Sequence, residues 1–478
     1  MNSILMKINS FRENKPVVWN MLIFALAMVI SQTAIETFNV TSTLYALNNT
    51  GQVWMAALVQ ILRYLPTLIA FAVAPLIIKK FNHRTIIVVS EIISSILLFI
   101  AVLVAIFTLN KPELKNVVLG QSPLIITIYL VVILWNVFNA GRFLALKQIV
   151  YRISQDEKQI NTYNRINNFA TSISYLVAAV ASLGFVKLIG FQWSTLILAI
   201  AYLISAALYR GFKLLDKEVE ISSKPQIKRH SKTLIYTFTI LVALALFSAI
   251  TFVPRFGTNT QFVTNLFLET KNSANVETWV SIYLIVIGVA LCLGSIVIFL
   301  LGKKILITTS ILFAVVSIAL FIFLLFAFGG FKTNIGLFGS FDSNANLEKA
   351  REILSTQLQT NMDKGIFAYT HQKLVLGIFL AGTFIQYFLF SMFLPVYFDY
   401  SYRTIPKEKY AFFAGITMII FQFMGLVYSI AMITLFNKTN YQFSYLFFVV
   451  IILVFVGIAV IAYLLLRARQ AKKAQENI

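Results

Sequence analysis

Cysteine and histidine are nearly missing from this chain: among 478 residues there is one cysteine and there are three histidines. Cys292 sits inside an apolar run, so neither an intrachain disulfide nor a cysteine-based metal site can form. His83, His230 and His371 lie far apart in loops or at the ends of apolar runs, so no metal is expected. Glycine-rich phosphate loops are absent, as is any separate nucleotide-binding segment, which argues against ATP hydrolysis and against a bound cofactor. No nucleophile, base and orienting residue assemble in an accessible loop, so an enzyme is not expected. Charge is scarce too, at 12% of residues against 59% hydrophobic, the reverse of a soluble domain's balance. Acids are scarcest, with 18 Asp and Glu against 39 Lys and Arg and a formal charge of +21. The bases are spread over short loops with no single face to collect them, so nucleic acid is not an expected partner. Topology and attraction to anionic lipid account for them.

What is abundant is apolar sequence in runs long enough to cross a bilayer. Twelve are expected: Trp19 to Tyr45, Val53 to Ile78, Thr85 to Leu109, Leu124 to Ile149, Ile166 to Ile189, Trp193 to Phe212, Leu234 to Phe252, Trp279 to Leu301, Ile305 to Phe328, Lys373 to Phe398, Tyr410 to Phe436 and Tyr441 to Leu466. The first begins after Arg12 and Lys15 without a small-residue cleavage site and reads as a transmembrane helix rather than a signal peptide. Basic residues crowd alternate gaps (Lys79 to Arg84, Arg152 to Arg165, Arg210 to Lys232, Lys303 and Lys304, Arg403 to Lys409, Arg467 to Lys473), whereas the gap from Asn39 to Val53 has none. The positive-inside rule places those gaps and both termini in the cytoplasm. The expected fold is an all-α polytopic membrane protein of twelve transmembrane helices.

The most charged stretch, 213–232, falls between the sixth and seventh runs and reads as a cytoplasmic linker. It divides a six-helix bundle at 1–212 from a second at 233–478. An internal echo agrees: Tyr151 to Lys158 after the fourth run and Tyr402 to Lys409 after the tenth match at four of eight positions. Duplicated halves about an axis along the membrane normal suit alternating access, one half rocking against the other. The long non-cytoplasmic loop 329–370 holds a polar stretch, Asn346 to Gln359, with apolar residues at partly helical spacing. It is either a surface insertion or a substrate cap.

Ionisable residues inside a membrane are costly and so are functional candidates. Glu36 lies in the first run and Arg63 in the antiparallel second. Counted from their shared outer loop, their depths differ by less than one helical turn of about 5.4 Å, so an ion pair is within reach. Gln32, Asn39 and Thr43 share Glu36's helical stripe; Gln60, Tyr64 and Thr67 flank Arg63. Asn136, Asn139 and Arg142 follow at three-residue steps in the fourth run, and Gln386 and Gln422 are the isolated polar residues of the tenth and eleventh. Lipid cannot satisfy these groups, so they should face protein or a water-filled cavity. Gln32, Asn39, Gln60, Tyr64, Asn136, Asn139, Gln386 and Gln422 are therefore the substrate-cavity candidates. Either Glu36 is a proton-coupling carboxylate that Arg63 holds ionised when paired, or the two form a static interhelical bridge. Arg142 reads as an anchor for helix ends or nearby carboxylates.

Several segments carry a resemblance. They are Thr50-Gly51, Arg63-Tyr64-Leu65-Pro66, Lys79-Lys80-Phe81-Asn82-His83-Arg84, Ser90-Glu91, Phe138-Asn139-Ala140-Gly141-Arg142, and Ile153 to Asn164 with Asp156-Glu157. Together they resemble the Major Facilitator Superfamily, in its bacterial efflux branch of macrolide-efflux and enterobactin-exporter-like proteins. The likeness is clear over about the first 210 residues and thinner beyond. It implies a multi-pass transporter of a bacterial plasma membrane, a monomer, working by proton-coupled efflux of an amphipathic small molecule or peptide. It also implies structural or gating roles for Lys79, Lys80, Arg84, Glu91, Arg142, Asp156 and Arg403. Lys79 stands where such proteins carry a latch aspartate, Pro75 near the expected glycine, and Tyr175 to Ala181 lacks the Gly-Pro pair of antiporters. These departures keep open an importer or lipid flippase on the same fold, and a transport-inactive membrane partner or receptor.

Overall fold

A computed structural model describes residues 15–50, 53–110, 122–214, 241–242, 273–301, 306–327, 359–360 and 362–438, with isolated positions between 446 and 457. The described residues form helices: α1 (Lys15–Thr50), α2 (Val53–Lys80), α3 (His83–Leu109), α4 (Pro123–Ile153), α5 (Glu157–Arg210), α6 (Ser273–Leu301), α7 (Leu306–Ala327), the short α8 (Phe367–Thr370), α9 (Gln372–Thr404) and α10 (Lys407–Lys438). Seven helical stretches are long and apolar enough to cross a membrane, and two shorter apolar ones lie in α6 and α7. Ten of the expected runs coincide with helical backbone. Most of the seventh run, most of the twelfth, linker residues 215–232 and most of the loop 329–370, with Asn346 to Leu358, lie outside the described residues.

Helix boundaries have local causes. The Asn82 side chain caps α3 by accepting from Arg84 N at 3.0 Å, and Asp156 caps α5 by accepting from Gln159 N at 2.8 Å. Pro123 opens α4, where its missing N–H costs nothing. α5 joins the fifth and sixth expected runs across a kink at Gly190, whose φ of 79° suits glycine. Pro66 interrupts the hydrogen-bond ladder of α2, and one residue on the Thr67 hydroxyl lies 2.7 Å from the carbonyls of Arg63 and Tyr64.

Within the first five helices, α5 packs on α1 and α3, and α4 on α3 and α2. Small hydroxyls tie these pairs: Ser95 donates to Ala199 O at 2.7 Å and Ser174 to Val29 O at 3.2 Å. The last helices are joined through α9, which packs on α6 and α7. Two seams link the sets, α5 against α6 and α2 against α10. In the first seam a Cβ on Gly288 would come within 2.6 Å of Leu176 Cα, so only glycine lets these backbones approach so closely. Apolar side chains such as Ile69, Leu76 and Leu103 remain exposed, as lipid-facing residues should be.

Candidate functional site

Near mid-helix, α1 and α2 bring Glu36 and Arg63 together. Arg63 Nη2 donates to Glu36 Oε1 at 3.1 Å, with the carboxylate side chain 4% and the guanidinium side chain 17% exposed. The second carboxylate oxygen, Oε2, is buried with no hydrogen-bond partner among the described residues. One turn on, neither amide atom of Asn39 has a hydrogen-bond partner among the described residues. Gln60 donates to Thr43 Oγ1 at 3.1 Å and leaves its own carbonyl unused. Glu36 also lines a small pocket with Val40, Tyr175, Ala178, Ala179, Leu284 and Ile287, on the seam where α1 and α5 meet α6. The expected polar cavity is therefore narrower and more apolar than the two stripes suggest.

The other candidates scatter. Tyr64 packs flat enough on α10 that a Cβ on Gly425 would meet its ring at 2.7 Å. Gln422 accepts from Thr67 at 3.2 Å, a hydrogen bond between α10 and α2. Gln32 is half-buried on α1. Three further candidates have hydrogen-bond partners within the protein. Asn136 donates to Val132 O of its own helix at 2.7 Å, Asn139 accepts from Arg142 at 3.0 Å, and Gln386 donates to Ser317 between α9 and α7 at 3.0 Å.

A second ion pair lies wholly inside the first five helices. Arg142 of α4 pairs with Glu91 of α3, at 2% and 0% side-chain exposure, and also contacts Ser31 of α1 and Tyr209 of α5. Four helices thus close around one guanidinium. Elsewhere, Arg84 donates to Phe212 O at 3.3 Å, while Lys79 and Lys80 are exposed at the end of α2. The side chain of Arg403 lies outside the described residues.

A third region was not anticipated. At the helix ends nearest the basic loops, Tyr151 of α4, Tyr402 of α9 and Tyr410 of α10 cluster, with ring centroids 5.5 Å apart for Tyr151 and Tyr402 and 4.1 Å for Tyr402 and Tyr410. Burial and the neighbouring tyrosines push the Tyr402 hydroxyl well above the ordinary phenol range, so it stays a donor, to Lys147 O at 2.9 Å. The buried Lys147 ammonium stands 3.9 Å over the Phe398 ring, near Asp399. Asn164 donates to Asp399 at 3.3 Å, and Asn168 of α5 donates to Ser295 of α6 at 2.7 Å and to Ser391 of α9 at 3.2 Å. The first and last sets of helices are thus bound together at the basic end. Lys147 is a charge inside the fourth expected run and Asp399 one bordering the tenth, so both were legible; the serines had no signal beyond their spacing.

The amino-acid sequence over residues 11–341 matches the profile of a family described as the Major Facilitator Superfamily. A search of curated proteins finds no match. Among solved structures, the fold is similar to a bacterial homologue of the iron transporter ferroportin in an outward-facing state with soaked iron. That likeness has a TM-score of 0.55 at 13% identity and covers 93% of this chain and 98% of the other. It is also similar to the proton:xylose symporter XylE bound to 6-bromo-6-deoxy-D-glucose, with a TM-score of 0.58 at 13% identity, covering 94% of this chain and 96% of the other.

Proposed function

The chain belongs to the Major Facilitator Superfamily, and we propose that it is a secondary active exporter, driven by proton antiport, of an amphipathic small molecule or peptide across a bacterial plasma membrane. In this reading it has two six-helix bundles at 1–212 and 233–478 joined by the linker 213–232, twelve spans and both termini in the cytoplasm. The observation that supports the coupling role is the Glu36–Arg63 pair, which sits at the seam between the two sets of helices. A charged side chain so placed inside the membrane, where charge is costly, is a functional candidate by default.

The two-half organisation is supported by Tyr151 and Tyr402. They hold equivalent places in the echoed segments Tyr151 to Lys158 and Tyr402 to Lys409, and their rings touch. Equivalent residues of twofold-related halves can meet only close to the axis. Closure at the basic end fits one end state of alternating access, in which the cytoplasmic side is shut.

The test is flux in proteoliposomes under an imposed pH gradient, following loss or gain of candidate amphipathic solutes together with proton movement. Glu36→Gln is expected to abolish pH-driven flux while leaving gradient-free exchange measurable. Unchanged coupling in that variant would remove Glu36 from the mechanism, and accumulation in the direction opposite to export would favour an importer.

A further inference from the structure

Five cations gather where α2, α3 and α5 meet at the basic end. Lys79 and Lys80 close α2, Arg84 stands in the first turn of α3, and Arg210 and Lys213 end and follow α5. Residues 76–84 and 210–214 hold no Asp or Glu. Contacts to the backbone of three successive residues fasten the end of α5 in place. Trp19 Nε1 donates to Gly211 O at 3.3 Å, and Arg84 donates to Phe212 O at 3.3 Å. The buried Asn20 side chain donates to Lys213 O and accepts from Lys213 N, each at 2.8 Å. Gly211 sits tightly on α1, since a Cβ there would lie 3.1 Å from Ile23 Cδ1. The backbone that carries Lys213 is therefore held beside Arg84.

Cations fixed side by side repel unless an anion lies between them. The linker that follows does not match them in charge, because residues 215–232 hold five Lys and Arg against three Asp and Glu. Beside the cations stand exposed apolar side chains, Leu76, Ile77 and Phe81. Cations bordered by lipid-facing apolar surface suit an acidic phospholipid better than a soluble anion. We propose that this corner binds the headgroup of an acidic phospholipid, its phosphate set among Lys79, Lys80, Arg84 and Lys213 and its acyl chains along Leu76, Ile77 and Phe81. The Arg84 guanidinium keeps further N–H donors beyond the one on Phe212 O, and charge-assisted bonds to phosphate are roughly twice as strong as neutral ones. General attraction of basic loops to an anionic membrane needs no fixed geometry. Here the Asn20 contacts fix where the chain presents Lys213. The site depends neither on what is transported nor on the direction of transport.

The experiment is lipid competition read by native mass spectrometry. Full-length protein in detergent is mixed with equimolar phosphatidylglycerol and phosphatidylcholine of the same acyl chains, and the first bound lipid is identified. The unsubstituted protein is expected to prefer phosphatidylglycerol by about tenfold or more. Lys80→Gln with Lys213→Gln should lose most of that preference. Lys158→Gln with Lys409→Gln removes the same charge from exposed positions elsewhere at the basic end and should keep it. Asn20→Ala breaks both bonds to Lys213 without changing a charge and should weaken the preference about threefold. No preference in the unsubstituted protein, or equal loss in the two double variants, overturns the proposal. Full preference in folded Asn20→Ala does so too, since the corner would then be diffuse charge and not a built site. Displacement of phosphatidylglycerol by excess inorganic phosphate would assign the cations to a soluble anion and is equally fatal. The surface variants remain decisive should Asn20→Ala fail to fold.

Discussion

The two intramembrane ion pairs have the same chemistry and opposite surroundings. Glu91 and Arg142 are sealed inside the first five helices, with Ser31, Asn139 and Tyr209 filling the guanidinium's remaining contacts. Glu36 and Arg63 sit where α1 and α2 approach the second set of helices, and the Arg63 side chain is partly exposed. A charge pair enclosed by one rigid group of helices experiences the same neighbours whatever the two sets do. A pair at the seam changes its neighbours whenever they move. The roles proposed for them follow that difference, stability for the first pair and proton exchange for the second.

The comparison is broken most directly by removing Arg142. Arg142→Ala strands a fully buried Glu91 carboxylate, and stranding a buried charge costs about 3–5 kcal/mol. Thermal unfolding followed by fluorescence-detected size exclusion should show a large loss of folded protein. The double variant Glu91→Gln with Arg142→Gln should recover most of it, since no charge is then left unpaired. If Arg142→Ala is as stable as the unsubstituted protein, the enclosed pair is not an anchor. Glu36→Gln is the matching change at the seam. It should cost only about 1 kcal/mol or less, because Arg63 keeps some solvent and Oε2 has no bond to lose. Equal destabilisation by the two variants would erase the distinction.

Sequence made one pair legible and hid the other for a geometric reason. Glu36 and Arg63 lie on consecutive antiparallel helices joined by a short loop, so counting residues from that loop matches their depths. The Gly190 break between two apolar runs was readable in the same way, from a gap in the pattern. Glu91, by contrast, drew notice only through the resemblance. Its partner lies on α4, and the rest of its shell comes from α1 and from the far end of α5, which depends on how helices distant in sequence pack. The same limit explains Gln386, Asn136 and Asn139. Each is a polar group in an apolar run, yet Gln386 donates to a neighbouring helix, Asn136 to its own backbone, and Asn139 accepts from the Arg142 side chain of its own helix. Periodicity reports which residues need a partner, and only packing decides whether a protein group or a ligand supplies it.

The tyrosine cluster at the basic end sharpens the contrast between moving and static contacts. Tyr402→Ala deletes the stack on Tyr410, the edge contact with Tyr151 and the hydrogen bond to Lys147 O. Those contacts favour the closed basic end by about 1–2 kcal/mol, so the closed population should fall roughly tenfold relative to the open one. Spin labels at the exposed Lys158 and Lys409, equivalent positions of the two echoed segments, would report a longer distance. No change in that distance distribution would mean the cluster is packing without gating.

The smallest effect is expected at Thr67, whose hydroxyl lies 3.2 Å from Gln422 across the α2 and α10 seam. Thr67→Val keeps the shape and removes the hydroxyl. Hydrogen bonds between transmembrane helices average about 0.6 kcal/mol, so the equilibrium between conformations should shift about threefold. The hydroxyl also borders two carbonyls of its own helix next to Pro66, so part of any effect belongs to α2 itself. Gln422→Leu separates the two contributions, since it removes only the contact across the seam. Equal shifts in both variants locate the effect between the helices, whereas a shift confined to Thr67→Val places it in the proline-weakened turn of α2.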